Sequence, residues 1–258
     1  MPPWAWAAAA AGAAAAAIAW TLPQQPRGPD TQIFRDEGKG TLVRVGGDRL
    51  PEAVALAAAA FAKSPVYLFI FGHLEAAARE EALRFMFERG MWIIARDHPG
   101  ALFGVVQDGE GPLAARPLAA FFVLKPSSHQ VGILDMARFG LLWLLARHGL
   151  EAAQKMVKAV KFGDEQMAVG RRAVDSEPKD VLVLERMVVR PDCQGHGIGS
   201  WALGTALGKL SDDTGAPCVL STQEARNATF YSHLGFETVQ EQDTLGMHSW
   251  AMVRRPRA

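Results

Sequence analysis

Hydrophobic and polar positions divide the chain into three stretches with different patterns. Residues 4–22 are mostly alanine and carry no charge, and a polar stretch rich in proline and glycine follows up to residue 40. From Thr41 the apolar residues alternate or repeat with helical spacing, as they do in a globular domain. We therefore predict an apolar segment over 1–22, a linker over 23–40 and one domain over 41–254.

The first part of this domain is predicted to contain both strands and helices. The strands are expected at 41–45, 101–106 and 117–124, and the helices at 50–63 and 74–89. Turn residues at 108–111 join the second and third strands, which favours an antiparallel hairpin. Gly90 is expected to end the second helix, because glycine commonly follows the last helical turn.

Residues 131–174 interrupt this order with a helical insertion of two or three stretches, among them 136–145 and 151–160. Two interpretations of the insertion are open. The helices either pack as part of the core, or they form the wall of a ligand pocket, since apolar surface beside an active site commonly holds a small molecule.

A strand, a glycine-rich loop and a helix follow one another in the last third of the chain. Residues 181–189 form a nearly continuous apolar run that is typical of a buried central strand. The loop has the sequence Gln194-Gly-His-Gly-Ile-Gly199, and an amphipathic helix is predicted over 200–210. Successive N–H groups in such a loop point at one anion, and the helix N-terminus adds about half a positive charge. This arrangement favours the binding of a phosphate group.

The spacing of the loop residues excludes two other phosphate-binding motifs. A P-loop requires a lysine directly after its last glycine, and no lysine follows the glycines here. A dinucleotide-binding fingerprint requires a third glycine where this chain has Ser200, and no βαβ unit with an acidic ribose ligand follows.

Two motifs together resemble the GNAT superfamily of acyl-CoA N-acyltransferases. Gln194, Gly197 and Gly199 match the Gln/Arg-x-x-Gly-x-Gly/Ala loop with which that family binds pyrophosphate. After a further strand at 218–222, the sequence Asn227-Ala-Thr-Phe-Tyr-Ser-His-Leu-Gly-Phe236 looks like the helix and turn that follow in the family.

The end of the chain is similar to one branch of this superfamily, the branch that contains puromycin N-acetyltransferase. The short interval between Asn227 and Tyr231 and the ending Ser249-Trp-Ala-Met252 carry this similarity. Members of the branch often have Leu-Glu-Thr where this chain has Leu220-Ser-Thr222. An acidic acceptor contact is therefore missing, and puromycin is not assumed to be the substrate.

The resemblance implies an α/β fold with a mixed, mostly antiparallel central sheet that is flanked by helices and splayed at the acyl-CoA site. The strand at 181–189 would lie beside the pantetheine of acetyl-CoA, the acyl donor, which adds to the sheet as an extra strand would. The implied cofactor-binding residues are Met187, Val188 and Val189 through their main chains, the loop residues Gln194, Gly195, His196, Gly197, Ile198, Gly199 and Ser200, and Asn227.

Two residues are candidates for the chemistry. The resemblance makes Tyr231 the general acid that protonates the departing CoA thiolate, although an aromatic residue there would also pack well as core. Glu185 is a carboxylate inside an apolar strand, where burial is costly unless the group is paired or functional. It is either the base that deprotonates the acceptor amine or part of a structural ion pair. Strand alternation predicts that Arg186 faces the other way.

The expected function is transfer of an acetyl group from acetyl-CoA to a primary amine of a small molecule, by direct attack. Cys193 has no histidine partner in the motif and is not expected to be a nucleophile. A protein N-terminus or a lysine side chain is an alternative acceptor. A catalytically silent acyl-CoA-binding sensor or interaction module is an alternative of a different class.

Composition narrows the set of partners. The chain has 27 basic and 27 acidic residues, so no net field would attract nucleic acid. Its two cysteines do not form a CxxC pair, which favours a reducing compartment such as the cytoplasm. The seven histidines show no metal-binding spacing, so no metal is predicted.

The segment at 4–22 is long enough to cross a bilayer, but alanine is weakly apolar and no basic residue precedes the segment. It is predicted to be a membrane anchor, a targeting segment or an alanine-rich tail. If it contacts a membrane, Arg27, Arg35 and Lys39 directly after it favour a catalytic domain on the cytoplasmic face. The sequence predicts no particular oligomeric state.

Overall fold

The computed structural model describes residues 26–128, 140, 142–174, 177 and 180–257. The apolar segment at 4–22 and residues 131–139 of the helical insertion lie outside the described residues. Every residue predicted to bind the cofactor or to take part in catalysis lies within them.

Within the described residues, eight strands form one sheet. They are β1 (Thr31–Asp36), β2 (Gly40–Arg44), β3 (Leu102–Val106), β4 (Leu118–Pro126), β5 (Leu182–Val189), β6 (Cys218–Thr222), β7 (Glu237–Thr244) and β8 (Met247–Arg254). Their order in the sheet is β1-β2-β3-β4-β5-β6-β8-β7, and every neighbouring pair is antiparallel except β5 and β6. The predicted mixed, mostly antiparallel sheet is confirmed.

Helices cover both faces of the sheet. They are α1 (Leu50–Phe61), α2 (Pro65–Phe71), α3 (Ala76–Asp97), α4 (Leu142–Val174), α5 (Ile198–Leu207) and α6 (Ala225–His233). The first four pack on one face, and α5 and α6 pack on the other. Among the described residues no single helix is long and apolar enough to cross a membrane. One bent pair, Gly47–Phe61 with Pro65–Phe71 at 86°, meets those criteria by length and composition.

Strand β4 lies at the centre of the core. Its neighbouring residues Phe121 and Phe122 point to opposite faces, and both are fully buried. Phe121 packs with the helices α1 to α4, whereas Phe122 packs with the side that carries α5 and α6. Because both faces of this strand are covered, its sequence is a continuous apolar run rather than an alternating one.

The predicted linker at 23–40 is wrong in its second half, because β1 lies within it. From Thr31 to Asp36 this strand pairs with β2 and forms one edge of the sheet. An edge strand keeps one side in solvent and is commonly polar, so β1 lacks the apolar pattern that indicates a strand. The folded domain therefore includes the hairpin of β1 and β2.

The helices also differ from the prediction. Helix α3 continues through Gly90 to Asp97, because Met91 and Ile94 extend its buried face beyond the glycine. Their burial outweighs the cost of about 1 kcal/mol for glycine inside a helix. Helix α4 is interrupted at Gly149, whose φ of 82° is not helical. The short helix α2 and the edge strand β7 were not predicted.

Candidate active site

The parallel strands β5 and β6 separate soon after they meet. Within the described residues β5 pairs with β6 only through Leu182 and Val183, although β5 continues to Val189. The edge of β5 that faces β6 is therefore open beyond Val183. An extended ligand can bind such an edge through main-chain hydrogen bonds, as an added strand does. The splay implied by the family resemblance is present.

A β-bulge lies on the other side of β5, where two residues, Arg186 and Met187, oppose one residue of β4. Arg186 has a φ of 53°, a left-handed conformation that costs a non-glycine residue about 1–2 kcal/mol. The bulge turns the Arg186 side chain back, so that its Nη1 donates to Oε2 of Glu185 at 2.6 Å. The prediction that these two side chains face opposite ways is therefore wrong.

The register of β5 determines which main-chain groups face the open edge. The N–H of Arg190 donates to the carbonyl of Ala119 in β4 at 2.8 Å. Hydrogen-bonded pairs alternate along an antiparallel ladder, so the N–H of Val188 also points to β4 and that of Val189 points into the gap. Three residues were predicted to bind pantetheine through their main chains. The N–H groups of Met187 and Val189 lie on the open side, whereas that of Val188 points to β4.

The loop after β5 presents a row of unused N–H groups. Within the described residues no hydrogen bond engages the N–H groups of residues 195–200. Gly195 and Gly197 have φ angles of 79° and 71°, a region where glycine avoids the steric cost of a side chain. Gly197 is the N-cap of α5, so these N–H groups lie at the positive end of the helix. They are suited to a pyrophosphate.

Both the main-chain N–H and the side-chain amide of Gln194 form hydrogen bonds within the protein, so this residue stabilises the loop and adds no free donor to it. Its N–H donates to the Pro191 carbonyl at 3.3 Å, and its side-chain amide donates to the Val189 carbonyl at 3.0 Å. The second bond ties the loop to the end of β5. It also engages the carbonyl of Val189, which leaves the N–H of that residue for a ligand.

Gly199 allows α5 to lie close to β5. A Cβ at this position would lie 2.9 Å from the Val189 side chain and 3.1 Å from that of Met187, closer than ordinary van der Waals contact. Ile198 is buried beneath the helix, whereas His196 and Ser200 are exposed. The first turn of α5 thus packs through residues 198 and 199 and offers its N–H groups to solvent.

Tyr231 lies on α6 with its ring in the core. The side chain is almost fully buried and packs edge-on against Phe230 and Phe236, with ring centroids 5.2 and 5.7 Å away. Burial, and to a lesser extent the neighbouring Cys218 thiol, raises the pKa of Tyr231, so the hydroxyl keeps its proton at neutral pH. In the part of the chain that the structure describes, this hydroxyl has no hydrogen-bond partner. It is available to donate to a ligand.

Asn227 lies one helical turn before Tyr231 on α6. Residues four apart share one side of a helix, so the two side chains lie on the same side of α6. The N–H of Asn227 donates to the Glu224 carbonyl at 2.9 Å in the first turn, and the residue is partly buried.

The segment that contains the loop and α6 matches a known family. Residues 150–238 match the sequence profile of the acetyltransferase (GNAT) domain. This match identifies a GNAT domain in that segment of the chain. The resemblance carried by Gln194, Gly197, Gly199 and the 227–236 motif is confirmed at the level of the superfamily. The similarity to the branch of puromycin N-acetyltransferase stays a prediction.

Solved structures of acetyltransferases share the fold of this chain. A histone acetyltransferase HPA2 and related acetyltransferase from Corynebacterium glutamicum is 16% identical with a TM-score of 0.53, over 84% of this chain and 96% of that one. An agmatine N-acetyltransferase is 14% identical with a TM-score of 0.50, over 83% and 98%. A protein from the yellow fever mosquito, described as an arylalkylamine N-acetyltransferase, is 12% identical with a TM-score of 0.51, over 83% and 86%. At these identities the likeness concerns the fold.

Glu185 lies in a group of charged side chains on the face of the sheet that carries α1 to α4. Its carboxylate contacts Nζ of Lys125 at 3.0 Å and Nη1 of Arg186 at 2.6 Å, one through each oxygen. The guanidinium of Arg186 also lies over the Phe87 ring, 5.4 Å from the centroid. These contacts support the ion-pair interpretation of Glu185 over its interpretation as a base.

Two polar residues in this group were missed by the sequence analysis. Lys125 directly follows the apolar run of β4 and is almost fully buried. A charged residue directly after a predicted buried strand was the feature of the sequence that could have indicated its role. Tyr67 on α2 is partly buried, and burial raises its pKa, with the charge of Arg186 opposing that effect. Nothing in its local sequence indicates that Tyr67 lies near the bulge of β5.

Cys193 does not have the properties of a nucleophile in this structure. The thiol is buried, and loss of hydration raises its pKa above the ordinary value. It accepts a hydrogen bond from the side-chain amide of Gln107 at 3.1 Å. At neutral pH the residue is therefore a thiol, which attacks a thioester far more slowly than a thiolate.

A surface cavity of about 400 Å³ lies between α1, α3 and the start of α4. It is lined by Leu50, Pro51, Val54, Glu81, Arg84, Phe85, Glu88, Trp92 and Trp143. None of the predicted cofactor-binding or catalytic residues lines it, so we do not assign acyl transfer to this cavity. Among the described residues no group of three or more His, Cys, Asp or Glu side chains is placed to hold a metal ion.

Proposed function

We propose that this protein is an acetyl-CoA-dependent N-acetyltransferase that acetylates the primary amine of a small molecule. The observation that carries the proposal is the open edge of β5, which leads directly into the loop of free N–H groups at 195–200. The loop is suited to the pyrophosphate of CoA and the open edge to the amides of pantetheine. A cofactor bound in this way would place its acetyl group towards the bulge at Arg186.

Direct attack is the reaction that this arrangement supports. The nitrogen of a neutral amine forms a bond to the thioester carbonyl carbon, and the carbonyl oxygen becomes an oxyanion. The N–H of Met187 lies on the open edge beside the bulge and is placed to stabilise a negatively charged oxygen. The C–S bond then breaks, CoA leaves as a thiolate, and the amine loses a proton to solvent.

Tyr231 is the proposed proton donor to the leaving thiolate. Its raised pKa keeps the hydroxyl protonated, which a donor requires. The same shift makes it a weaker acid than a thiol, whose ordinary pKa is about 8.5. We therefore expect Tyr231 to act chiefly by a hydrogen bond to the developing thiolate, and the proton to follow as CoA dissociates.

Glu185 has a supporting role in this proposal. One oxygen of its carboxylate contacts Lys125 and the other contacts Arg186, so the group is engaged before any acceptor arrives. We infer that it neutralises these cations and holds the strained Arg186 in the bulge. The bulge in turn sets the position of Met187, whose N–H lies on the open edge.

A small amine is the acceptor class that we favour. Two proteins with a similar fold are named for small amines, agmatine and arylalkylamines. On the side of the bulge, aromatic residues of α1, α2 and α3 lie together, with Phe61, Tyr67 and Phe87 in edge-on contact at centroid distances of 5.4–6.2 Å. Phe61 and Tyr67 are only partly buried, so they are accessible to a ligand with an apolar body.

The proposal is tested by release of free thiol from acetyl-CoA in the presence of a panel of acceptors, with mass spectrometry of the products. The panel contains arylalkylamines, polyamines, guanidino-amines, aminoglycosides and peptides with a free N-terminus or lysine. We expect amine-dependent thiol release and one acetyl group on a small amine. Acetylation of the peptides alone would contradict the acceptor class. Tight CoA binding without turnover on any acceptor would favour the silent sensor.

A further inference from the structure

Lys39 reaches the phosphate-binding loop from the other end of the chain. It lies in the turn between β1 and β2, and its Nζ donates to the carbonyl of His196 at 2.6 Å. The same nitrogen lies 3.3 Å from the point where a Cβ of Gly197 would be. A positive charge therefore stands beside the row of free N–H groups at 195–200.

The turn that carries Lys39 is held in place by contacts on both sides. The N–H of Gly38 donates at 3.3 Å to the carboxylate of Asp108, which lies in the loop after β3. The N–H of Lys39 itself donates to the Asp36 carbonyl at 3.2 Å. On the other side Phe34 of β1 contacts Trp201 in the first turn of α5, with ring centroids 6.3 Å apart. The hairpin is thus docked against the helix whose N-terminus forms the loop.

We propose that Lys39 binds the pyrophosphate of CoA, so that the N-terminal hairpin is part of the cofactor site. This inference rests on the proposed function. An ammonium group has three donors, and within the described residues one of them is used, by His196. The remaining donors and the charge are available to a phosphate beside Gly197. A lysine that meets backbone N–H groups at a helix N-terminus is an effective phosphate ligand.

The position of Lys39 favours the pyrophosphate over the 3′-phosphate of CoA. Its ammonium lies against Gly197, the N-cap of α5 and the centre of the N–H row. The hairpin lies outside residues 150–238, the segment that matches the GNAT domain. The contribution of Lys39 is therefore a feature of this chain in addition to the loop motif.

The experiment compares the wild-type chain with Lys39→Gln and Lys39→Arg by calorimetric titration with CoA, dephospho-CoA and pantetheine. Dephospho-CoA lacks the 3′-phosphate, and pantetheine lacks the pyrophosphate, the 3′-phosphate and the adenosine. Lys209→Gln is the matched control, because it removes the same charge from an exposed position beyond the far end of α5. All variants are checked for an unchanged melting temperature.

Lys39→Gln is expected to weaken both CoA and dephospho-CoA about tenfold, the scale of one hydrogen bond to a charged group. Lys39→Arg should recover most of that loss, and neither variant should alter the binding of pantetheine. Lys209→Gln should bind all three ligands as the wild type does. The salt dependence of CoA binding should also be less steep in Lys39→Gln, since one ion contact is lost.

Two results would overturn the inference. Unchanged affinity of Lys39→Gln for CoA would show that the ammonium does not contact the cofactor. A loss for CoA with no loss for dephospho-CoA would assign Lys39 to the 3′-phosphate instead. A wild-type chain that binds neither ligand would refute the proposed function itself, and that outcome is distinct from both.

Discussion

The hydroxyl of Tyr231 is the single group whose role depends most on the cofactor. The ring is buried, and the hydroxyl is protonated and has no hydrogen-bond partner among the described residues. A thiolate placed beside the hydroxyl would accept a hydrogen bond from it, and this hydrogen bond would stabilise the negative charge on the sulfur. The residue therefore separates an enzyme from a protein that only binds CoA.

Tyr231→Phe keeps the ring and removes the hydroxyl. Turnover in single-turnover measurements should fall by about 10²-fold or more, the usual scale for one positioned proton donor. CoA affinity should not change, and the melting temperature should stay close to that of wild type, because the ring keeps its packing and the hydroxyl has no hydrogen bond to lose among the described residues. Full activity of the variant in single-turnover measurements would exclude Tyr231 from the mechanism and leave water as the proton source.

Glu185→Gln tests whether the carboxylate is a base or an ion-pair partner. We expect a loss of about 2 kcal/mol in the free energy of unfolding, since Lys125 and Arg186 are left without their counter-charge in a partly buried site. Turnover should stay within about tenfold of wild type, below the usual contribution of a general base. Glu165→Gln, an exposed carboxylate on α4, is the control.

The outcome that would restore Glu185 as the base is a loss of turnover of about 10²-fold or more with little loss of stability. The part of the decrease in kcat/KM at low pH that comes from protonation of Glu185 would then also disappear in the variant.

Some of these residues could be predicted from the sequence and others could not. The glycines at 197 and 199 are specified by backbone conformation and close packing, which leave a signature in the sequence. The contact of Arg186 with Glu185 depends on a bulge, and one extra residue in a strand reverses the expected side without any sequence signal. Lys39 reaches the loop through a tertiary contact across 157 residues, which local patterns do not record.

At the scale of elements, one buried arginine links three parts of the C-terminal half. Arg254 at the end of β8 is almost fully buried and forms two hydrogen bonds with Asp212 beyond α5, at 2.8 and 2.7 Å. Its Nε also donates to the Leu234 carbonyl at 3.0 Å, in the turn after α6. This contact fixes the end of the helix that carries Tyr231.

Asp212→Asn should lower the stability at neutral pH by about 2–3 kcal/mol, somewhat less than for a fully buried pair because Asp212 is partly exposed. The hydrogen bonds from Arg254 hold the pKa of Asp212 below its usual value. Its contribution is thus fully present above the unfolded-state pKa of about 3.9 and is lost as pH falls through the lower folded-state value.

The measurement is denaturant unfolding from pH 7 down to pH 2, with Asp213→Asn as the control at an adjacent exposed residue. The difference between wild type and Asp212→Asn should shrink as the pH falls below about 4. A constant difference across this range would show that the carboxylate charge does not carry the effect.

The prediction of elements succeeded where burial produces a pattern and failed where it does not. The strand β5, the loop and α5 follow from an apolar run, glycines and a helical face. Strand β1 is polar at the edge of the sheet, and α3 continues past a glycine because its later residues face the core. In both failures tertiary packing overrides the local signal.

At the scale of the whole molecule, the sheet is divided by the gap between β5 and β6. Five strands, β1 to β5, lie on one side of the gap, and β6, β8 and β7 lie on the other. Within the described part of the sheet, only two residue pairs of β5 and β6 join the two sides. Because the N-terminal hairpin also contacts the loop through Lys39, both ends of the chain contribute to the same site. CoA that fills the gap would bind the two parts together and should raise the melting temperature.

The central claim is that CoA binds at the loop of residues 195–200, and its most direct test is calorimetric titration of CoA into wild type and Gly197→Glu. The substitution places bulk and negative charge among the free N–H groups. Gly208→Glu makes the same change at the other end of α5, where a side chain meets open space. Ser200→Glu adds the charge at an exposed position without the positive φ of Gly197.

Wild type and Gly208→Glu should bind CoA with one site per chain. Gly197→Glu and Ser200→Glu should remain folded and lose about a hundredfold in affinity or more, which corresponds to the loss of two charge-assisted hydrogen bonds. Equal CoA affinity in all four proteins, or no CoA binding by the wild type, would contradict the account.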